Sequence, residues 1–110
     1  MKGIVYEGPD TLTYRDVPDV TPRRGEVKIR VRACGICGSD VHGYMGITGR
    51  RTAPMIMGHE FAGEIAGLGQ DVEGWKPGDR VSVYPVDFCG NCEMCKKGQV
   101  HLCLNKRAFG

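Results

Sequence analysis

Four cysteines set the strongest constraint on this chain. They occur as Cys89-Gly90-Asn91-Cys92-Glu93-Met94-Cys95, followed after seven further residues by Cys103. Two-residue gaps let the backbone fold back so that successive thiolates converge, and four of them can close a tetrahedron around one zinc ion. Gly90 and Gly98 supply the backbone freedom that such folding needs. A pair of disulfides, or four unrelated buried cysteines, is the competing reading. Nothing points to an oxidising compartment, since the start Met1-Lys2-Gly3-Ile4-Val5 has no apolar signal core. With no coordination position left open, the spacing predicts a structural zinc site that holds a lobe over residues 86–104 in shape and does no chemistry.

A metal staple matters at this size. A single domain of 110 residues buries about two thirds of its unfolded surface, whereas zinc contributes on the order of 10 kcal/mol of folding free energy in small domains. Hydrophobic residues at 41% and charged residues at 25% describe a soluble globular chain. A net charge of +2 selects neither nucleic acid nor an anionic membrane, because the basic residues are dispersed among nearly as many acidic ones. No apolar run approaches a membrane span. A reduced, cytoplasmic setting is expected.

Lys2 to Tyr6, ended by Gly8-Pro9, and Leu12 to Val17, ended by Pro18, suit strands at the start of a β domain. Val27, Ile29 and Val31 alternate with Lys28, Arg30 and Arg32, the period of a half-buried strand. Its basic face, together with Arg23 and Arg24, could bind an anion. A solvated strand face is the simpler reading, because no aromatic residues are interleaved for bases to stack on.

Cys34 and Cys37 form a second two-residue spacing. It could be a redox pair, but the strand-helix-strand setting of a thioredoxin motif is missing. The alternative makes Cys37 a metal ligand and Cys34 a buried bystander at the end of its strand. Ser39 and Asp40 then begin a short helix just after Cys37, a location that lowers a thiol pKa and favours the thiolate. Gly43 to Pro54 reads as an exposed loop containing Arg50-Arg51. It leads into Met55-Ile56-Met57-Gly58-His59-Glu60, where a histidine beside a glutamate is ordinarily a satisfied near-surface residue. The run continues to Val72 as a glycine-spaced strand whose small side chains permit another backbone or a ligand to approach.

Gly58-His59-Glu60, with Gly63, Gly69 and Val72, resembles the signature of the zinc-containing medium-chain alcohol dehydrogenases. So do Gly35-Ile36-Cys37-Gly38-Ser39-Asp40, the turn Lys76-Pro77-Gly78-Asp79-Arg80-Val81 and the four-cysteine lobe. The resemblance covers essentially the whole chain and is nearest to the sorbitol, polyol and threonine dehydrogenase branch. It implies a mainly β fold: a GroES-like, partly open β-barrel with short helices and a zinc lobe, occupying residues 1–110 and incomplete. Gly63, Gly67 and Gly69 lack the turn-then-helix pattern of a dinucleotide fingerprint. The family's nucleotide-binding Rossmann domain is therefore expected to be absent, and the chain to be a fragment of an enzyme subunit.

The resemblance also assigns roles. Cys37 and His59 are implied to be two ligands of a catalytic zinc. The family's third ligand usually lies beyond the end of this sequence, which makes Glu60 a candidate substitute. Zinc would act as a Lewis acid on a bound alcohol, with hydride leaving for NAD or NADP in the complete enzyme. The proton is implied to depart through Ser39 and the cofactor ribose toward His42, while Asp40 orients the ligating imidazole; helix capping is the plainer role of Ser39 and Asp40, and the two are compatible. The expected function is oxidation of a secondary alcohol or polyol by a homo-oligomeric whole enzyme, the 110 residues alone being inactive. The alternatives are a non-catalytic zinc-binding interaction module and a small chaperonin-like protein.

Overall fold

Eight strands and two short helices follow one another in the computed structural model, which describes residues 1–110. Strand β1 (Lys2–Gly8) and strand β2 (Thr11–Asp16) form the hairpin that the two initial apolar runs predict. Their antiparallel register runs from Lys2 opposite Asp16 to Tyr6 opposite Leu12. Asp10 makes the turn in the left-handed region at φ 57°, a conformation that Asp tolerates better than most residues. Strand β3 (Val27–Gly35) leads into helix α1 (Gly38–Tyr44), after which strand β4 (Met55–Ile56) pairs with the free edge of β1.

The second sheet adjoins Cys37 and His59, which lie just beyond the ends of two of its strands. Strand β5 (Glu60–Leu68) lies between β3 and strand β6 (Arg80–Ser82), all antiparallel. The Lys76–Asp79 turn feeds β6; there the Lys76 N–H donates to Asp79 Oδ2 at 2.9 Å and the Asp79 N–H to the Lys76 carbonyl at 3.1 Å. The β3–β5 ladder slips twice, between Lys28 and Ile29 and between Val31 and Ala33. Such bulges bend the strand and interrupt its two-residue period, and Val31 accordingly comes out exposed. Three of the five basic side chains of this region are paired locally: Lys28 with Asp19 at 2.6 Å, Arg32 with Glu64 at 3.1 Å, and Arg24 with Asp71. This is the solvated face expected from the sequence.

Only eight residues are buried, and the apolar core reduces to Val5, Tyr6, Val17, Ile65 and Cys103. The sheets do not close on each other, so apolar side chains such as Ile4, Leu12 and Ile36 remain in solvent. The fold is thus mainly β and open, a partial barrel with short helices. Strand β7 (Val86–Asp87) and strand β8 (Arg107–Ala108) form a two-stranded ribbon at the base of the cysteine lobe. Within the lobe lie helix α2 (Glu93–Lys96) and a 3-10 turn at Val100–Leu102. No helix is long and apolar enough to cross a membrane.

Two expectations need correction. Cys34 is exposed, not buried, because the open barrel leaves the end of β3 uncovered; it lines an apolar groove of about 350 Å³ with Ile4, Leu12, Ile36, Val41 and Tyr44. The segment from Gly43 to Pro54 is not wholly an exposed loop. Gly43 and Tyr44 complete α1, Gly43 is buried, and the Arg51 side chain folds back against it.

Candidate metal centres

The lobe gathers all four cysteines predicted from spacing. Their Sγ atoms lie within 4.8 Å of one another, with separations of 3.5 Å for Cys92–Cys95, 3.9 Å for Cys92–Cys103 and 3.6 Å for Cys89–Cys103. A zinc–sulfur bond of about 2.3 Å places tetrahedral sulfurs about 3.8 Å apart, so the donor set fits one zinc. These separations are far from a disulfide bond of about 2.0 Å, and all six cysteines are free thiols. The backbone turns its amides toward the sulfurs: the Cys92 N–H donates to Cys89 Sγ at 3.3 Å, and the N–H groups of Cys89 and Asn105 each donate to Cys103 Sγ at 3.4 Å.

Those amides divide the thiols electrostatically. Hydrogen bonds from the Asn91 backbone, the Asn105 side chain and the Cys92 backbone pull Cys89 down to about 6. Backbone N–H groups of Cys95 and Leu104 also lower Cys92, whereas withdrawal from water and neighbouring thiols push Cys95 up to about 12. Four adjacent sulfurs cannot all carry charge without a cation among them. A metal ion among them would let the remaining thiols ionise.

The second group forms where β3 hands the chain to α1 and where β5 begins. Cys37 is the N-cap of α1, and His59 immediately precedes β5. Cys37 Sγ lies 3.3 Å from His59 Nε2; Ser39 Oγ completes a triangle at 3.0 Å from the sulfur and 3.4 Å from the nitrogen. Sulfur and imidazole bound to one zinc would stand about 3.6 Å apart, so these donors fit the ion with little adjustment. Asp40 is buried beneath them. Its Oδ2 accepts the Cys37 N–H at 3.1 Å, and its Oδ1 faces His59 Nδ1 at 3.3 Å. Asp40 thus stands behind the far ring nitrogen, the place from which a carboxylate orients a metal-ligating imidazole.

The other expected residues stand further out. His42 occupies the last turn of α1, exposed to solvent. Glu60 is exposed on β5 in register with Gly35, and its side chain lies over that glycine; it is not among the residues whose ligand atoms converge, which are Cys37, Asp40 and His59. A cleft of about 260 Å³ opens over the group, bordered by Ser39, Arg50, Arg51, Met55, His59 and Phe109.

Arg51 is the neighbour of this group that the sequence did not reveal. Its Nη2 donates to Asp40 Oδ1 at 3.0 Å and to the Ser39 carbonyl at 3.3 Å, while Nη1 donates to the Gly110 carbonyl. The available signal was Gly43, a glycine inside a helix, which marks the close passage of another group.

An S₄ lobe beside a Cys–His pair on an open antiparallel barrel defines a class. Residues 23–110 match the alcohol dehydrogenase GroES-like domain family, and the chain belongs to it, within the zinc-binding medium-chain dehydrogenases. Sorbitol dehydrogenase of Bacillus subtilis strain 168 is 51% identical over 106 residues, covering 94% of this chain and 30% of the relative. L-threonine 3-dehydrogenase of Pyrococcus furiosus is 47% identical over 102 residues, covering 90% of this chain and 29% of the relative. Among solved structures, the short chain alcohol dehydrogenase RspB of Escherichia coli CFT073, complexed with NADH, superposes with a TM-score of 0.85 at 41% identity. That comparison covers 100% of this chain and 32% of the other. The chain spans roughly 30% of the length of these relatives.

Proposed function

We propose that residues 1–110 are the GroES-like N-terminal domain of a zinc-dependent dehydrogenase that oxidises a secondary alcohol or polyol with NAD or NADP. The carrying observation is the convergence of Cys37 Sγ, His59 Nε2 and Ser39 Oγ over a buried Asp40 that holds the imidazole from behind. The dehydrogenases named above, one of them with NADH bound, support the reaction class. Every strand pairing in these residues is antiparallel, so the parallel βαβ unit that binds a dinucleotide is not formed by them.

Zinc held by Cys37 and His59 would supply Lewis acidity toward a substrate oxygen. The residues of the chain do the rest. Cys37 offers its sulfur from a helix N-cap, where the thiolate is favoured. Asp40 has both oxygens engaged, by the Cys37 N–H on one side and by Arg51 and His59 on the other, so it orients the imidazole and does not serve as a ligand. Glu60 would have to swing away from Gly35 to become a third ligand. Ser39 stands within hydrogen-bond reach of the donor pair and is placed to relay a proton, accepting one from a substrate hydroxyl in the cleft while passing its own toward the cofactor ribose of the whole enzyme. His42, exposed on the same helix, would take that proton from the ribose and release it to water.

Zinc titration under reducing conditions tests this reading. Two sites are expected, a tight one in the lobe and a weaker one abolished by His59→Ala, because two protein donors leave half the tetrahedron to water. Two equally tight sites, or a weak site indifferent to the loss of His59, would overturn it. The 110-residue chain alone is expected to show no NAD(P)-dependent alcohol oxidation, since hydride transfer requires a nicotinamide held within reach of the reacting carbon.

A further inference from the structure

Arg51 is nearly as buried as the carboxylate it touches, with 11% of its side chain exposed against 9% for Asp40. Removing a guanidinium from water is costly, and a buried ion pair seldom repays the cost in stability alone. The contacts show what the burial achieves. Asp40 Oδ2 is tied to the Cys37 backbone; Oδ1 meets both Arg51 Nη2 and His59 Nδ1. The guanidinium is itself fixed by carbonyls of Ser39, at the start of α1, and Gly110, just past β8. Gly43 makes room for it, because a methyl group at that position would overlap Arg51 Nε and stand 2.5 Å from Cδ. Without Arg51, the Oδ1 end of the carboxylate would have His59 as its sole partner, and the two groups could turn together.

We infer that Arg51 is a positioning residue for the Cys37–His59 metal site, locking the Asp40 carboxylate so that His59 presents Nε2 toward Cys37 and Ser39. The inference rests on the reading of Cys37 and His59 as ligands. It adds a third layer behind them: a ligand, the carboxylate that aims it, and a cation whose planar fork keeps that carboxylate still. A lysine could supply the charge but not the fork, because one ammonium group does not reproduce the planar set of contacts to Asp40, Ser39 and Gly110.

The lobe provides an internal control in the same molecule. Cobalt(II) is titrated into the reduced 110-residue chain, and the thiolate-to-cobalt absorption is followed for the native sequence, Arg51→Ala, Arg51→Lys and Gly43→Ala, with circular dichroism to verify the fold. The native chain is expected to fill the four-cysteine site first and the Cys37–His59 site second. Arg51→Ala should weaken the second step by about ten- to a hundred-fold, the usual effect of losing an outer partner of a metal ligand, and leave the first step unchanged. Arg51→Lys should rescue little of the loss. Gly43→Ala, which displaces the guanidinium without deleting it, should reproduce the loss from a different position. A second step within about twofold of native in Arg51→Ala, or a parallel weakening of both steps, would overturn the inference while leaving the ligand assignment intact. Uptake of a single cobalt by the native chain would overturn the ligand assignment and this inference together.

Discussion

The carbonyl of Arg30 fills the space that a side chain at Gly63 would need. A Cβ built at position 63 would overlap the Arg30 oxygen and stand 2.9 Å from both the Arg30 carbonyl carbon and Ile29 Cγ2. Backbone, unlike a flexible side chain, cannot step aside at low cost. Gly63→Ala is therefore expected to pry β3 from β5 and to lower stability by about 1–3 kcal/mol, the usual range for overpacking. Urea unfolding would show a lower midpoint; an unchanged midpoint would mean that the β3 bulge beside it yields freely.

Ile65 is the most deeply buried apolar side chain, at 2% exposure, and its N–H and carbonyl are both held by the Gly78–Asp79 turn. Truncating a buried isoleucine to alanine costs about 2–5 kcal/mol. With so few buried neighbours to share the loss, Ile65→Ala should unfold the sheets of the zinc-loaded chain and leave the lobe as the main ordered region. Hydrogen exchange resolved by segment would report this. Retained protection across β5 and β6 would count against it.

Loss of one lobe ligand should be local. Cys92→Ser removes a sulfur that lies 3.5 Å from Cys95 and 3.9 Å from Cys103, and the lobe's metal should be lost with it. Order over residues 86–104 should fall while β1, β3 and β5 persist. Metal content by atomic absorption and exchange of the lobe amides check both halves. A full zinc complement in the variant would remove the structural assignment.

The metal-free lobe should respond to pH in two opposed ways. Folded Cys89 titrates at about 6 against an ordinary 9.0, held there by donors from Asn91, Asn105 and Cys92. Between those values the unfolded chain binds the proton and the folded chain does not, so the stabilisation from Cys89 is full above pH 9.0 and is lost as pH falls through about 6. Cys95 is raised to about 12 by withdrawal from water; its contribution is full below pH 9.0 and is lost as pH rises through about 12. At neutral pH, iodoacetamide should label Cys89 well before Cys95, read by peptide mapping. The reverse order would contradict the assignment.

Spacing made the four-sulfur cluster legible, because such a set is a local pattern. Cys89, Cys92, Cys95 and Cys103 needed only their intervals, whereas Cys37 and His59, 22 positions apart, were paired only by the family resemblance. The strands were legible from alternation and turn residues, but their burial was not. Val31 obeys the period of a half-buried strand and is nevertheless exposed, since the bulges flanking it and the unclosed sheet are products of tertiary context. Cys34 was misjudged for the same reason. Arg51 was hidden differently: it meets Asp40 from 11 positions further along the chain, past the end of α1, and no periodicity links the two.

The β7–β8 ribbon gives the lobe an unusual independence. Val86 pairs with Ala108 and Asp87 with Arg107, so the chain departs from the frame and returns to it at neighbouring points. A segment held in this way is a pendant, closed at its neck, and changes of length inside it do not alter the path of the chain on either side. Between Phe88 and Lys106, changes that keep the four sulfurs together can therefore be made without disturbing the geometry of Cys37 and His59.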